Sequence, residues 1–226
     1  MTLAVLRSSI GKKAVMGMTG LALDGFILAH LAGNMLIFLG PNALNTYAEK
    51  LRHLGPMLWV ARGSLLLATV IHIWMAIWLT VENRAARPVG YAMLKSIDTT
   101  LAARTMMLSG LLLLAFIVYH LLHFTFGVTH PAIAHLRDPM GRHDVYRMVV
   151  QGFQDPRVAL FYVVGMGLLC MHLSHGIASM FQSVGLNDER TIPTLQKLGR
   201  LIAMAIFVGY VSIPLSIVLG LVGAAR

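Results

Sequence analysis

The chain has 226 residues, of which 57% are hydrophobic and only 12% are charged. An ordinary soluble domain carries about 45–50% apolar and about 25% charged residues, so this composition excludes a water-soluble globular protein and indicates one that lies in lipid. The formal net charge is +9, but the basic residues are spread over short connections instead of one recognition face, which argues against a nucleic-acid partner.

Five segments are long and apolar enough to cross about 30 Å of hydrocarbon as helices that rise about 1.5 Å per residue. They are residues 14–39, 57–81, 105–127, 158–180 and 201–223. The first is too long for a signal peptide, and we expect it to remain in the protein. Pro56 and Pro156 mark two helix starts, because a missing backbone N–H costs least there. The sequence predicts an all-α fold, a five-helix transmembrane bundle that forms one integral membrane domain over residues 1–226.

The connections carry two further signals. The longest, residues 128–157, contains prolines and charges and is expected to hold a short amphipathic helix at the outer surface. The 18 Lys and Arg residues divide ten to eight in favour of the N-terminal side, and Asp138, Asp144 and Asp155 lie on the other side. By the positive-inside rule, this distribution favours a cytoplasmic N-terminus.

Four of the five segments contain a histidine about sixteen residues after the segment begins. They are His30, His72, His120 and His172. Successive helices run in opposite directions, so the first and third histidines share a depth near the outer face, and the second and fourth share one near the inner face. Two imidazoles at each level are what two bis-histidine haems b require, and two axial histidines suit electron transfer because they leave the iron no open position.

Small residues flank these histidines at helical spacing, as the close approach of a flat porphyrin would need. They are Gly33, Asn34, Ala68, Thr69, Ala76, Gly165 and Gly176. A single membrane histidine can instead hydrogen-bond across helices without any cofactor, but four at matched depths are more typical of ligands.

Two further histidines keep the ligand assignment open. His123 and His175 each follow a proposed ligand by three residues, so each lies on nearly the same helix face. Either is an alternative ligand, or it hydrogen-bonds a haem propionate. The remaining histidines fall in connections and are expected to be solvated. These are His53, His130, His135 and His143.

Two charges lie within membrane segments, where a charge is costly. Arg62 stands near the level of the outer histidines, and a haem propionate is one partner for it; the alternative is that its side chain extends to the interface. Asp24 lies near mid-membrane in the first segment, and its role stays open. Cys170 is the single cysteine, which excludes an intramolecular disulfide, a cysteine-ligated cluster and c-type haem attachment.

Several motifs point to one family as a set. They are SSIGKKAVMGMTG, HLAGN, LNTYAEKL, ARGSLLLATVIHIW, NRAARPVGY, IVYHLLHF and LLCMHLSHGIASMFQSVG, in chain order. Together they resemble the large cytochrome b membrane-anchor subunit of type-B succinate:quinone oxidoreductases, a group that includes succinate dehydrogenase and fumarate reductase. The resemblance covers nearly the whole chain and is weakest in the third connection and the fifth segment.

The resemblance implies two non-covalent haems b whose axial ligands, by motif position, are His30, His72, His120 and His172. It implies a flavoprotein subunit and an iron–sulfur subunit on the cytoplasmic face of a bacterial cytoplasmic membrane, in a complex for which a higher oligomer stays open. Electrons from succinate would reach a membrane quinone, which is menaquinone in many relatives. It also suggests Glu49 for proton exchange at an outer quinone site, the alternative being an ordinary surface charge.

Other interpretations stay open beside this one. A proton-coupled transporter would use the membrane histidines and Asp24 along a pathway, although the sequence has no internal repeat. A dihaem cytochrome b of another quinone-linked respiratory enzyme is a second alternative. In one such class, two ligands lie about four turns apart on the same helix, and no segment here has histidines spaced in that way. A bare structural anchor is the third, but such an anchor has no need of all four histidines.

Overall fold

The computed structural model describes residues 8–86, 101–183, 185, 188 and 190–223. Within them the regular structure is helical, without a β-strand. The helices are α1 (Ser9–Met35), α2 (Pro41–His53), α3 (Pro56–Ala85), α4 (Leu101–Arg104), α5 (Met106–His120), α6 (Pro131–Ala134), α7 (Val145–Phe153), α8 (Pro156–Ser183) and α9 (Ile192–Val218). A 3₁₀ turn, Leu36–Leu39, extends α1, and a π-helical turn, Leu121–Thr125, extends α5. Outside the described residues lie Arg7, Arg87, Lys95 and Arg226 of the charge distribution, residues 87–91 of the NRAARPVGY motif and Val184.

Among the described residues, five helices are long and apolar enough to cross a membrane: α1, α3, α5, α8 and α9, with the two extending turns included. The expectation of an all-α bundle with five such helices is therefore confirmed. The helices leave much apolar surface uncovered, since Leu66, Val70 and Trp74 of α3 are 65%, 55% and 61% exposed. Exposed apolar surface of that extent agrees with a multi-pass membrane protein.

The fifth segment shows how helix bounds depart from hydropathy. The sequence places it at residues 201–223, whereas α9 begins at Ile192, nine residues earlier, and ends at Val218. Residues 192–200 were not included in the apolar segment because they contain the charges of Lys197 and Arg200. The helix nevertheless starts there, because Pro193 lies in its first turn. Beyond α9 the chain turns at Gly220, which has a φ of +70° that favours glycine.

The packing order of the membrane helices sets the position of the site. α8 packs extensively against α9, and also against α1 and α5, while α1 packs against α3. Helices α1, α3, α5 and α8 are the four that carry the candidate ligands. α9 lies against α8 and α1 and contributes Ile206, Val211 and Ile213 to the core.

An extramembrane layer, which we call the outer cap, covers the end of the bundle away from the N-terminus. It consists of α2, α7 and the intervening residues 131–144, and α2 and α7 pack against each other. The amphipathic helix expected in the longest connection is α7, which buries Met148, Val149, Val150 and Phe153. The sequence did not predict α2, a helix that starts at Pro41 directly after Gly40 with a φ of +95°.

Candidate cofactor site

The inner pair of histidines brings α3 and α8 together. The ring centroids of His72 and His172 lie 6.4 Å apart at an interplanar angle of 66°. Both side chains are partly buried between the helices. The sequence placed these two residues at one depth, and the structure brings their rings face to edge.

Hydrogen bonds orient both inner rings through the same nitrogen. His72 Nδ1 lies 3.1 Å from the carbonyl oxygen of Met16 and 3.4 Å from Thr19 Oγ1. His172 Nδ1 lies 3.1 Å from Ser109 Oγ. A carbonyl oxygen can only accept, so the hydrogen of His72 is on Nδ1, and Nε2 is the nitrogen that can bind a metal. Partners of this kind fix the ring orientation of metal-ligating histidines.

Two glycines lie directly against the inner rings. A Cβ at Gly20 would stand 3.3 Å from His72 Cε1, and one at Gly110 would stand 3.4 Å from His172 Cε1. The glycines that the sequence suggested have other surroundings. Gly33 packs on Tyr47, Gly165 packs on Phe116 and a Cβ at Gly176 would meet nothing within 4 Å. These glycines do not contact the histidine rings, because the rotation of each helix directs them elsewhere.

The outer pair brings α1 and α5 together. The ring centroids of His30 and His120 lie 6.0 Å apart at an interplanar angle of 84°. Aromatic rings surround this pair: Phe26 stacks on His30 at 5.3 Å, and Phe116 stacks on His120 at 6.2 Å. Tyr162 Oη lies 3.4 Å from His120 Nδ1.

Both pairs have the spacing of a bis-imidazole iron. An imidazole nitrogen binds a metal at about 2 Å and its ring centroid lies about 1 Å further away, so two axial rings on one iron have centroids about 6 Å apart. In residues 8–86, 101–183 and 190–223, no three or more His, Cys, Asp or Glu side chains converge in a way that could hold a bare ion. Two imidazole rings at this spacing fit a metal whose in-plane ligands come from a macrocycle. On α1, Gly20 lies against the inner pair and precedes His30 of the outer pair by ten residues. The two pairs are therefore separated by about 15 Å along this helix.

His123 has a different environment from that of His120. It is fully buried, its Nδ1 lies 3.0 Å from Tyr162 Oη, and its Nε2 has no hydrogen-bond partner among the described residues. Its ring stacks on Phe124 at 3.9 Å. The π-helical turn that begins after His120 is wider than an α-turn, so His123 is rotated away from the face that three residues of α-helix would give it.

The remaining histidines are His175, which was an alternative ligand, and the four loop histidines that were expected to be solvated. His175 bonds Ser179 Oγ through Nε2 at 3.0 Å, and His53 and His135 are exposed. Two of the loop histidines that were expected to be solvated, His130 and His143, are only partly exposed. The His130 ring lies 4.5 Å from that of His123, and His143 Nε2 donates to a backbone carbonyl at 2.9 Å. His143 belongs to the outer cap itself, and His130 immediately precedes the cap in the chain.

A cationic cavity of about 710 Å³ opens beside the outer end of α5. It is lined by Arg52, Gly55, Pro56, Leu58, Trp59, Arg62 and Thr125. Burial lowers the pKa of Arg52, and the nearby cations Arg137 and Arg62 lower it further. Arg62 lies 5.0 Å over the Trp59 ring and is exposed. Thr125 follows His120 by five residues along the π-helical turn, so an anionic group between the outer pair and the cavity would meet these guanidinium groups.

Two acidic residues were singled out in the sequence, Asp24 and Glu49. Asp24 is partly buried on α1, between Gly20 and His30 along the chain. Glu49 is partly buried on α2. Within the described part of the chain, neither carboxylate has a hydrogen bond or an ion pair. The structure does not bring Glu49 into the lining of the cationic cavity.

Comparison with protein-family models gives no match, and comparisons with curated protein sequences and with solved structures give none either.

Proposed function

We propose that this chain is the dihaem cytochrome b membrane anchor of a succinate:quinone oxidoreductase. In this role it passes electrons between an iron–sulfur subunit and a membrane quinone, which we propose is menaquinone. A flavoprotein subunit carries the dicarboxylate site. The partner subunits bind at the N-terminal, cytoplasmic side of a bacterial cytoplasmic membrane.

One observation carries the proposal. Two histidine pairs, with ring centroids 6.0 Å and 6.4 Å apart, lie at two levels of one membrane bundle. Each ring comes from a different helix, so the four-helix arrangement itself brings the nitrogens together. Structural histidines that only hydrogen-bond across helices have no reason to adopt the spacing of a bis-imidazole iron twice.

The chain's own residues would hold and orient the two haems. His30 and His120 would bind the outer iron, and His72 and His172 the inner iron. Haem bound there would supply reversible one-electron transfer, and two histidine ligands would leave no open position on the iron for oxygen. Met16 and Ser109 hold the inner rings through Nδ1, which leaves Nε2 toward the metal.

The outer end of the bundle carries arginines that could bind an anion and a carboxylate that could exchange a proton. We propose that Arg62, with Arg52 beside it, meets a propionate of the outer haem, because both line the cavity beyond His120. Glu49 remains the proposed proton-exchanging group of an outer quinone site. An electron that moves between the two levels crosses part of the membrane potential, which is worth about 2.3 kcal/mol per charge per 100 mV across the full width.

The visible spectrum of the purified, dithionite-reduced chain tests the proposal. We expect sharp b-type α bands, and a pyridine haemochrome assay that gives about two haems per chain. A colourless protein that is folded and helical would refute the proposal and favour a proton-coupled transporter or a bare anchor. Co-purification with a flavoprotein and an iron–sulfur protein tests the partners separately.

A further inference from the structure

Tyr162 of α8 places one hydroxyl between two imidazoles of the neighbouring helix. Its Oη lies 3.4 Å from His120 Nδ1 and 3.0 Å from His123 Nδ1. Tyr162 is 6% exposed and His123 is 0% exposed, so water does not compete for these hydrogen bonds. The π-helical turn after His120 sets the two imidazoles at different rotations, and one hydroxyl contacts both.

The direction of each hydrogen bond follows once Nε2 of His120 binds a metal. A neutral imidazole has one N–H, so His120 then carries its hydrogen on Nδ1 and donates it to Tyr162 Oη. Tyr162 has a single hydrogen, and Nδ1 of His123 is the one remaining described group within hydrogen-bond distance that can accept it, so the hydroxyl is satisfied only if it donates to His123. His123 must therefore carry its own hydrogen on Nε2, the nitrogen that is buried without a hydrogen-bond partner among the described residues.

We propose that Tyr162 and His123 are positioning residues for the outer haem. Together they fix the tautomer and the ring orientation of His120, so that Nε2 is directed at the iron. This inference rests on the proposed function, since it takes His120 as an axial ligand. The chain is cooperative, because a hydroxyl that donates to His123 becomes a better acceptor for His120. The inner pair is held differently, since the carbonyl of Met16 and the hydroxyl of Ser109 bond its rings directly.

Tyr162→Phe in the haem-loaded chain tests the role of the hydroxyl. The low-spin electron paramagnetic resonance signal and the midpoint potential of the outer haem should shift. The outer haem should also transfer to excess apomyoglobin about tenfold faster, in line with the loss of a hydrogen-bonding partner behind a ligand. The signals of the inner haem should stay as in the wild type. The outer haem is the one that is absent from a His30→Ala variant.

Tyr119→Phe is the matched control. Tyr119 lies in the same aromatic cluster, with its ring centroid 5.6 Å from that of His123, but its hydroxyl makes no hydrogen bond within residues 8–86, 101–183 and 190–223. Its loss should leave both haems unchanged. Ser109→Ala is the counterpart on the inner pair and should shift the inner signal alone.

A second pair of variants tests His123. Asn at this position keeps an acceptor near the place of Nδ1, whereas Leu removes it. His123→Asn should retain most of the wild-type outer signal, and His123→Leu should reproduce Tyr162→Phe. This pair decides the question if Tyr162→Phe fails to fold.

The outcomes separate the two proposals. A folded wild-type chain without haem overturns the proposed function. Two haems in the wild type, with Tyr162→Phe equal to Tyr119→Phe, overturn the positioning role and leave the proposed function standing. Equal shifts of both haems in Tyr162→Phe also overturn it, because they would report a general change in packing.

Discussion

The inner and outer histidine pairs have similar ring spacing but are held in different ways. At the inner pair, each Nδ1 has a close hydrogen-bond partner within 3.1 Å, and a glycine lies against each ring. At the outer pair, aromatic rings surround the imidazoles, and a single hydroxyl 3.4 Å from His120 is the nearest Nδ1 partner in the described part of the chain. The outer pair also lies beneath an extramembrane cap.

The difference shows two physical solutions to one problem. At the inner pair, hydrogen bonds to a carbonyl and a hydroxyl, together with the close glycines, fix the orientation of each ring. These contacts come from neighbouring helices, so the inner site depends on the registry of α1 with α3 and of α5 with α8. At the outer pair, packing against neighbouring aromatic rings fixes the orientation of each imidazole. The outer site therefore depends on several helices and on the cap above them. Changes close to the rings should therefore affect the inner pair most sharply, and distant changes in the cap should reach only the outer pair.

The largest expected effect comes from removing one ligand. His172→Ala should lower the haem content from about two to about one per chain with loss of the inner haem, and His120→Ala should remove the outer haem instead. Pyridine haemochrome assays and redox titration of each variant measure this. Retention of both haems in either variant would show that another side chain, such as His175 or His123, is the ligand.

Space beside the inner rings gives the next effect. The substitution Gly20→Val would press a side chain against His72, because the Cβ alone would stand 3.3 Å from His72 Cε1. Overpacking of this kind costs about 1–3 kcal/mol, so the inner haem should bind roughly 5–150-fold more weakly. Haem titration and the inner electron paramagnetic resonance signal report the change. Gly25→Val on the same helix is the matched control, because a Cβ there meets nothing within 4 Å.

The five membrane helices could be predicted because hydropathy over a long window depends on composition alone. The shared depth of His30 with His120 and of His72 with His172 could be predicted as well, because helices that alternate in direction bring residues of equal count to equal depth. The contacts of Gly20, Gly110 and Tyr162 could not be predicted, since they depend on the rotation of each helix about its axis. The π-helical turn that separates His123 from His120 has no reliable sequence signal either.

The outer cap offers the third effect. Asn45 is 1% exposed, and its side chain donates to Asp144 at 3.0 Å and to Asp138 at 3.4 Å while it accepts from the backbone N–H of Tyr146 at 2.9 Å. Asn45→Leu removes one partner from each of these buried groups, although Asp138 keeps Arg142 and Asp144 keeps the backbone N–H of Arg147. It should cost about 3 kcal/mol, or roughly 6–12 °C in Tm. Thermal unfolding should also release the outer haem before the inner one.

An exposed neighbour on α2 is the control for Asn45. Asn42 accepts from Arg142 at 3.1 Å at the surface, so Asn42→Ala should change stability by no more than about 0.5 kcal/mol. Equal losses in the two variants would contradict the view that the buried amide holds the cap. Loss of the inner haem in Asn45→Leu would contradict the expectation that changes in the cap reach only the outer histidine pair.

The smallest effect is a pH dependence confined to the cap. Burial lowers the pKa of His143 below its ordinary value of 6.5, and Arg52, Arg137 and His135 lower it further, against the opposing hydrogen bond to Ala134. Protons then bind the unfolded chain more readily, so this contribution to stability is complete above pH 6.5 and is lost as the pH falls through that value toward the folded pKa. His143→Gln keeps an amide donor that does not titrate. Between about pH 7.5 and about pH 5.5, the variant should lose less stability than the wild type, by at most about 2 °C in the temperature at which the outer haem is released. The release of the inner haem should follow the same pH profile in both proteins, because the other histidines titrate identically in each.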